Sequence, residues 1–134
     1  MTLTNPRWPE LEPVEVDALA DTGSVHLCIP EHIALQLRLE EFDRREVVLA
    51  DGSRQAVSYV GPLAISVANR RGLAGAMVLG NQVLLGAIPM EDMDLVVNPR
   101  TQQVIPNPEN PNIAVSIAMG LPPNPRSAPR HGPT

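Results

Sequence analysis

The feature that most constrains this chain is a succession of short apolar segments separated by turn-forming residues. Val14 to Ala20 alternates apolar residues with Glu15 and Asp17, which is typical of a strand with one face in water. Similar segments continue as far as residue 105, with turn signals roughly every 8–12 residues. This pattern predicts an all-β sandwich or barrel with one or two short helices.

The local signals predict where most of the elements lie. We expect further strands over residues 25–29, 45–50, 54–60, 63–68, 73–79, 82–85, 95–97 and 102–105. Hairpins are predicted across Asp51-Gly52, residues 69–72 and residues 98–101, and Gly61-Pro62 is expected to end a strand. A helix is predicted from Pro30 to Leu39 and one helical turn over residues 89–94. Residues 113–119 are interpreted as a further strand or as a segment that packs across the surface.

The length of 134 residues fits one domain. Residues 1–13 contain Pro6, Pro9 and Pro13 and are predicted to be an irregular lead-in. Residues 14–107 hold the strand pattern and are interpreted as the folded domain. Residues 108–134 are predicted to be a Pro-rich, partly disordered extension, since eight of the 15 prolines lie in the last 29 residues.

The composition excludes several classes of function. Only 2% of the residues are aromatic, so the core must be aliphatic and a base-stacking surface is not expected. The net charge is −5, which argues against a nucleic-acid partner. All ten basic residues are Arg, so neither a lysine Schiff base nor the lysine of a phosphate-binding P-loop is available.

The titratable side chains give no metal or cofactor signal. Cys28 is the only cysteine, so no disulfide can form within the chain, and we expect it to be a small buried apolar residue. His26, His32 and His131 lack the spacing of metal ligands. The acidic run at residues 91–94 is interpreted as a solvated face, and Arg70-Arg71 as a hairpin tip. With no signal peptide and no apolar run near 18 residues, we expect a cytoplasmic protein without a membrane partner.

The segment Asp21-Thr22-Gly23-Ser24 follows an apolar strand directly. One interpretation is a simple turn, because Asp and Thr side chains cap local backbone groups and Gly adopts unusual dihedrals. The other interpretation is a catalytic carboxylate held by a tight loop. The residues of this segment alone leave both open.

Two further motifs follow the segment in order. A hairpin has Ala50-Asp51-Gly52 at its tip, and Leu84-Leu85-Gly86 ends a late apolar strand. Together with the Asp21 segment, this arrangement over residues 14–107 resembles the retroviral-type (retropepsin-like) aspartic proteases, in particular their small bacterial single-domain relatives. The stretch LLGAIPMEDMDLVVNP at residues 84–99 is similar to the same group. The resemblance implies a closed acid-protease barrel with one lobe per chain.

The resemblance also implies a reaction, in which two carboxyls activate a water molecule that hydrolyses a peptide. At a separation of about 3 Å and an effective dielectric of about 20, two carboxylates repel each other by roughly 5 kcal/mol, so the pair shares one proton. The Asp-Thr-Gly motif occurs once in this chain. The second carboxyl must therefore be Asp21 of a second copy, and a two-fold symmetric homodimer is expected. The candidate interface is residues 95–105, either alone or together with residues 113–119.

By the same resemblance, each motif residue acquires a role. Thr22 would hydrogen-bond across the dimer axis, Gly23 would donate its amide to a carboxylate, and Ser24 would bond the outer oxygen of Asp21. Residues Ala50, Asp51 and Gly52 would form a mobile flap over an extended peptide substrate. Gly86 would let the Leu84-Leu85 strand pass close to the catalytic loop.

Two other functions fit the same motifs. One is a catalytically silent dimeric module of the same fold that binds extended peptides or assembles with partners by strand addition. The other is a self-processing domain of a longer precursor. An aspartic endopeptidase active as a homodimer remains the leading hypothesis, with no metal and no cofactor.

Overall fold

The computed structural model describes residues 1–120 and is mostly β, with 43% strand and 10% helix. The predicted all-β class with short helices is therefore confirmed, and the main sheet curls into half a barrel. The strands are β1 Thr2–Thr4, β2 Val14–Glu15, β3 Ala18–Ala20, β4 Leu27–Ile29, β5 Glu40–Val48, β6 Arg54–Val67, β7 Arg70–Val78, β8 Val83–Leu85, β9 Leu95–Val97 and β10 Val104–Pro106. The helices are α1 Glu31–Gln36 and α2 Ala87–Asp92.

The strands form one large sheet and one small one. In the large sheet the order is β2-β1-β6-β7-β4-β8-β3, and β5 pairs with β6 beside that path. Most pairs are antiparallel, but β3 runs parallel to β8 and β4 runs parallel to β7. The small sheet holds only β9 and β10. The order places β8 between β3 and β4, which decides where the Asp21 segment lies.

An aliphatic core holds the sheet and the two helices together, as the composition predicts. Its members come from strands β1, β4, β6, β7, β8 and β9 and from both helices. The largest fully buried apolar side chains are Leu3, Leu27, Ile29, Leu37, Leu63, Ile65, Leu85 and Met93. A smaller cluster of Cys28, Val57 and Met77 lies beside it. The smaller cluster joins the β5–β6 hairpin to β4 and β7.

The predicted irregular lead-in is wrong at its start. Thr2–Thr4 forms β1, which pairs with both β2 and β6, and Leu3 is completely buried. A three-residue strand is too short to show a period of two, so the sequence pattern could not reveal it. The predicted strand over residues 14–20 is also two strands, because β2 pairs with β1 whereas β3 pairs with β8.

The predicted strand break at Gly61-Pro62 is wrong as well. β6 runs continuously from Arg54 to Val67, and its register against β7 shifts between Val60 and Leu63. Residues 61 and 62 thus lie outside the ladder with β7, where the missing N–H of Pro62 interrupts nothing. A Gly-Pro pair is typical both of a bulge and of a strand end, so the sequence could not distinguish the two here.

Two further predictions concern residues that were expected at the surface. The β6–β7 turn consists of Ala68 and Asn69, with Ala68 at a φ of +51°, so Arg70 lies in β7 and is 1% exposed instead of at a hairpin tip. Of the two interpretations of residues 113–119, the strand is wrong: the segment lies at the surface with exposed side chains, and the Val115 amide donates to Asp94 at 3.0 Å. The predicted disorder of residues 121–134 lies outside the described residues.

Neither of the two helices in residues 1–120, each six residues long, has the length or hydropathy to cross a membrane.

Candidate active site

The Asp21 loop, residues 21–26, is placed by the order of three strands. β3 ends at Ala20, β4 begins at Leu27, and β8 lies between them in the sheet. The chain must therefore cross the end of β8 to pass from β3 to β4. Ala20 pairs with Leu85 at that end, so Asp21 and Gly86 come next to each other.

The Asp21 carboxylate is held by its own loop. The Gly23 amide donates to Oδ1 at 3.0 Å and the Ser24 hydroxyl donates to Oδ2 at 2.8 Å. The loop backbone is fixed too, since the Asp21 amide donates to the Leu85 carbonyl at 2.9 Å. These are the two side-chain contacts that the resemblance implies for Gly23 and Ser24. The carboxylate is half-buried, so it is oriented and still reaches the surface.

Gly86 makes the crossing possible. A Cβ at this position would lie 2.7 Å from the Val25 carbonyl carbon and 2.8 Å from the Ser24 carbonyl oxygen. Both distances are shorter than van der Waals contact, and the neighbours are backbone atoms that cannot rotate away. The crossing is closed by two hydrogen bonds, from the Ala87 amide to the Ser24 carbonyl at 2.8 Å and from the Ile88 amide to the Val25 carbonyl at 2.9 Å.

The surface of this crossing is open and partly apolar. Thr22 and Gly23 are exposed, and Val25 and Ile88 are each about half exposed, at 54% and 50%. A bond from Thr22 across a dimer axis stays a prediction, because the structure is a single chain. The two hydrogen bonds to the Asp21 carboxylate come from Gly23 and Ser24, and the exposed Thr22 side chain contributes neither of them.

Cys28 lies behind the loop and is buried, as the sequence predicts, with 7% of its surface exposed. Burial raises the pKa of its thiol, and the negative charge of Asp21 raises it further. Both effects keep the thiol protonated, which makes it a poor nucleophile. Cys28 therefore acts as an apolar contact between β4 and the β5–β6 hairpin.

The tip of the β5–β6 hairpin is a tight three-residue loop of Ala50, Asp51 and Gly52. The Gly52 amide donates to the Leu49 carbonyl at 2.9 Å, and Gly52 has a φ of +85°, which favours glycine. The Ser53 hydroxyl and amide both donate to the Asp51 carboxylate, and these hydrogen bonds lower its pKa. All three tip residues are exposed, and within residues 1–120 no described hydrogen bond joins them to the Asp21 loop.

The structure therefore brings together two of the three predicted motifs. Asp21 to Ser24 and Leu84 to Gly86 form one site through the β3–β8 pair. Within residues 1–120, the hairpin tip is connected to that site through its base, where Val57 packs with Cys28 and Met77. A single chain thus presents one oriented carboxylate and one projecting hairpin.

Two sets of residues near this site were missed by the sequence analysis. Tyr59 lies at the base of the hairpin against His26 of the Asp21 loop, with ring centroids 5.9 Å apart. Arg70 and Asp94, interpreted as a hairpin tip and part of a solvated face, are instead largely buried and 3.7 Å apart. For Tyr59 and His26 the one sequence signal is the rarity of aromatic residues. For Arg70 and Asp94 the sequence gives no signal.

No family model and no curated protein matches the chain. In residues 1–120, no three His, Cys, Asp or Glu side chains are grouped so as to hold a metal ion. The Asp21 loop and the β5–β6 hairpin are therefore the two features of residues 1–120 from which a function is inferred.

Proposed function

We propose that this protein is an aspartic endopeptidase of the retropepsin-like type, active as a homodimer with one Asp21 carboxyl from each chain. The observation that carries the proposal is the Asp21 carboxylate, which accepts a hydrogen bond on each oxygen from its own loop. The turn at Asp51 also has two capping bonds, but both reach one oxygen, whereas the Asp21 loop supplies one bond to each oxygen. Two bonds on a half-buried carboxylate orient it for a reaction at the surface of the loop.

The proposed reaction needs two carboxyls in different protonation states. The ionised carboxylate takes a proton from water, and the protonated one donates a hydrogen bond to the oxygen of the scissile amide. The water oxygen bonds to the carbonyl carbon, the carbon–nitrogen bond breaks, and the leaving nitrogen takes up a proton. One chain supplies one Asp-Thr-Gly segment, so a second copy must supply the other carboxyl.

The hairpin supports the same proposal. Residues 48–56 project beyond the packed base at Val47 and Val57, and most of their side chains are exposed. Hairpins of this kind close over a bound peptide and exclude water from the reaction. The substrate would be an extended peptide with apolar residues on either side of the cleaved bond, because Val25 within the Asp21 loop and Ile88 beside it are half-exposed apolar side chains.

The first test compares two substitutions of an acid to its amide. Asp21→Asn removes the carboxylate but keeps the shape, so we expect cleavage of a peptide library at mildly acidic pH to fall to background. Asp17→Asn changes an exposed acid four residues earlier and is expected to keep full activity. Mass spectrometry of the products measures cleavage, and circular dichroism checks that both variants are folded.

Two results would contradict the proposal. One is cleavage by Asp21→Asn at the rate of the parent protein. The other is a parent that binds extended peptides without cutting any of them, which would instead support the silent binding module.

A further inference from the structure

Aromatic side chains are rare in this protein, yet two of them meet at one place. The chain has one Trp, one Tyr and one Phe. Tyr59 on β6 and Phe42 on β5 lie edge to face, with their ring centroids 6.3 Å apart and their planes at 73°. This contact lies at the base of the β5–β6 hairpin, where Tyr59 pairs with Asp43.

The Tyr59 ring contacts three separate parts of the fold. The Arg45 guanidinium of β5 lies 4.2 Å from the ring centroid, which is within the range of a cation–π interaction. His26, in the loop that carries Asp21, lies 5.9 Å away at an angle of 59°. On β7 the ring covers Gly75, where a Cβ would lie only 2.6 Å from the Tyr59 Cε1 atom.

The position of this contact along the hairpin is equally specific. Val57, two residues before Tyr59, is 4% exposed, whereas residues 48 and 50–56 are all exposed. The packed part of the hairpin therefore ends near Val57, which pairs with Arg45, and Val47, which packs against the same small cluster. An ion pair of 3.2 Å from Arg45 to Asp43 holds the guanidinium in place.

We infer that Tyr59 is the positioning residue of the hairpin: its ring, held between Arg45, Gly75 and His26, sets the angle between residues 48–56 and the Asp21 loop. The consequence for catalysis rests on the proposed function. A hairpin that closes over a substrate must pivot about a packed contact, and residues at such pivots change kcat and KM together. No other aromatic ring connects the hairpin with the Asp21 loop in residues 1–120.

The Tyr59 contacts with Arg45, His26 and Phe42 are made by the ring, while the hydroxyl lies over Gly75, which suggests a set of variants. Tyr59→Phe keeps the ring and is expected to behave like the parent. Tyr59→Ala removes the ring and is expected to loosen both the hairpin and the Asp21 loop. Trp8→Ala is the matched control, because Trp8 also contacts an arginine, Arg38, at 6.0 Å but lies outside the hairpin.

A second variant displaces the ring without removing it. Gly75→Ala places a methyl group where the end of the Tyr59 side chain lies. The ring can rotate away, so the fold is expected to survive while the contacts with His26 and Arg45 are lost. Gly75→Ala should therefore reproduce the effects of Tyr59→Ala.

The first readout is amide hydrogen exchange, which needs no activity. We expect Tyr59→Ala and Gly75→Ala to exchange about tenfold faster than the parent in residues 47–56 and in residues 22–26, with Tyr59→Phe and Trp8→Ala unchanged there. Unchanged exchange in residues 22–26 of Tyr59→Ala would overturn the inference, since the ring would then not connect the two segments.

The second readout is the rate of peptide cleavage. For Tyr59→Ala we expect kcat/KM to fall about tenfold, with changes in both kcat and KM, and Tyr59→Phe is expected to restore it. A fall that Tyr59→Phe shares would overturn the inference. If the parent cleaves no peptide, the proposed function fails, and the exchange measurement alone decides the role of Tyr59.

Discussion

At the scale of single residues, the orientation of the Asp21 carboxylate is set by its hydrogen bonds. Its two oxygens accept hydrogen bonds from Gly23 and Ser24, and these two bonds hold the carboxylate in one orientation. One carboxyl cannot be proton acceptor and proton donor in the same step. The geometry of the single chain therefore fits half of a two-carboxyl site.

Ser24→Ala separates orientation from chemistry. The change removes the donor to Oδ2 and keeps the Gly23 amide on Oδ1. A hydrogen bond to a charged group is worth about 1.5–3 kcal/mol, and less when the group is half exposed. We expect kcat to fall by about tenfold or less and the melting temperature to stay nearly constant. A loss of activity as complete as that of Asp21→Asn would contradict this assignment.

Gly86→Ala tests the crossing of the Asp21 loop over β8. The new Cβ would overlap the backbone of Ser24 and Val25, and overpacking of this kind costs about 1–3 kcal/mol or more. We expect a clearly lower midpoint of urea unfolding. Gly61→Ala is the control, because a Cβ there meets nothing closer than 3.5 Å. Equal stability of both variants would show that the crossing is not tight.

At the scale of elements, a polar cluster fixes the segment that follows β10. Asp94, between α2 and β9, accepts hydrogen bonds from the side chains of Asn107 and Asn110 and from the Val115 amide. Arg70, at the start of β7, donates to the Asn110 carbonyl at 2.5 Å. These contacts hold residues 107–115 against the body of the fold.

Acid should release this segment. The hydrogen bond from Asn107 and then that from the Val115 amide, together with Asn110 and Arg70, hold the pKa of Asp94 below its ordinary value of 3.8. A carboxyl with a lowered pKa stabilises the folded state above the pKa of the unfolded state, and this stability is lost as the pH falls through the folded pKa.

Asp94→Asn should therefore flatten the acid side of the stability curve. Urea unfolding between neutral pH and a pH below 3.8 measures the slope, and Asp92→Asn, an exposed acid in α2, serves as the control. A parent-like slope in Asp94→Asn would contradict the role of this carboxylate.

The sequence predicted those elements whose signals are local. The strands around the Asp21 segment, the Asp-Gly hairpin and the helical turn after Gly86 all have turn chemistry or periodicity nearby. Arg70 could not be predicted, because its burial depends on partners 24 and 40 residues away, Asp94 and Asn110. β1 and the Tyr59 contacts likewise depend on distant strands. Contacts between distant parts of the chain, not local propensity, decided each of these sites.

At the scale of the whole molecule, residues 1–120 form half of a barrel. The main sheet curls without closing, and the small β9–β10 sheet has two strands only. The β9–β10 pair packs against the core through Leu95, Val97 and Val104, and its unpaired edges are a template for further strands. A second copy related by a two-fold axis would supply them and would bring its own Asp21.

Ile105→Arg tests this interface. Ile105 is half-buried and pairs with Val96, so a charge there should disfavour an apolar contact between two copies. We expect the dimer to dissociate at protein concentrations at least about tenfold higher than for the parent, and activity to fall with it. Sedimentation velocity over a dilution series measures the dissociation, and an unchanged dimer would place the interface elsewhere.

The central claim is that one site needs Asp21 from two chains, and mixing tests it most directly. Parent protein and Asp21→Asn are combined at a constant total concentration, allowed to exchange subunits, and assayed for peptide cleavage. If both carboxyls are needed, an equal mixture retains about one quarter of the parent activity, because only that share of the dimers has two Asp21 residues. Retention of about one half, in proportion to the parent chain, would contradict the account.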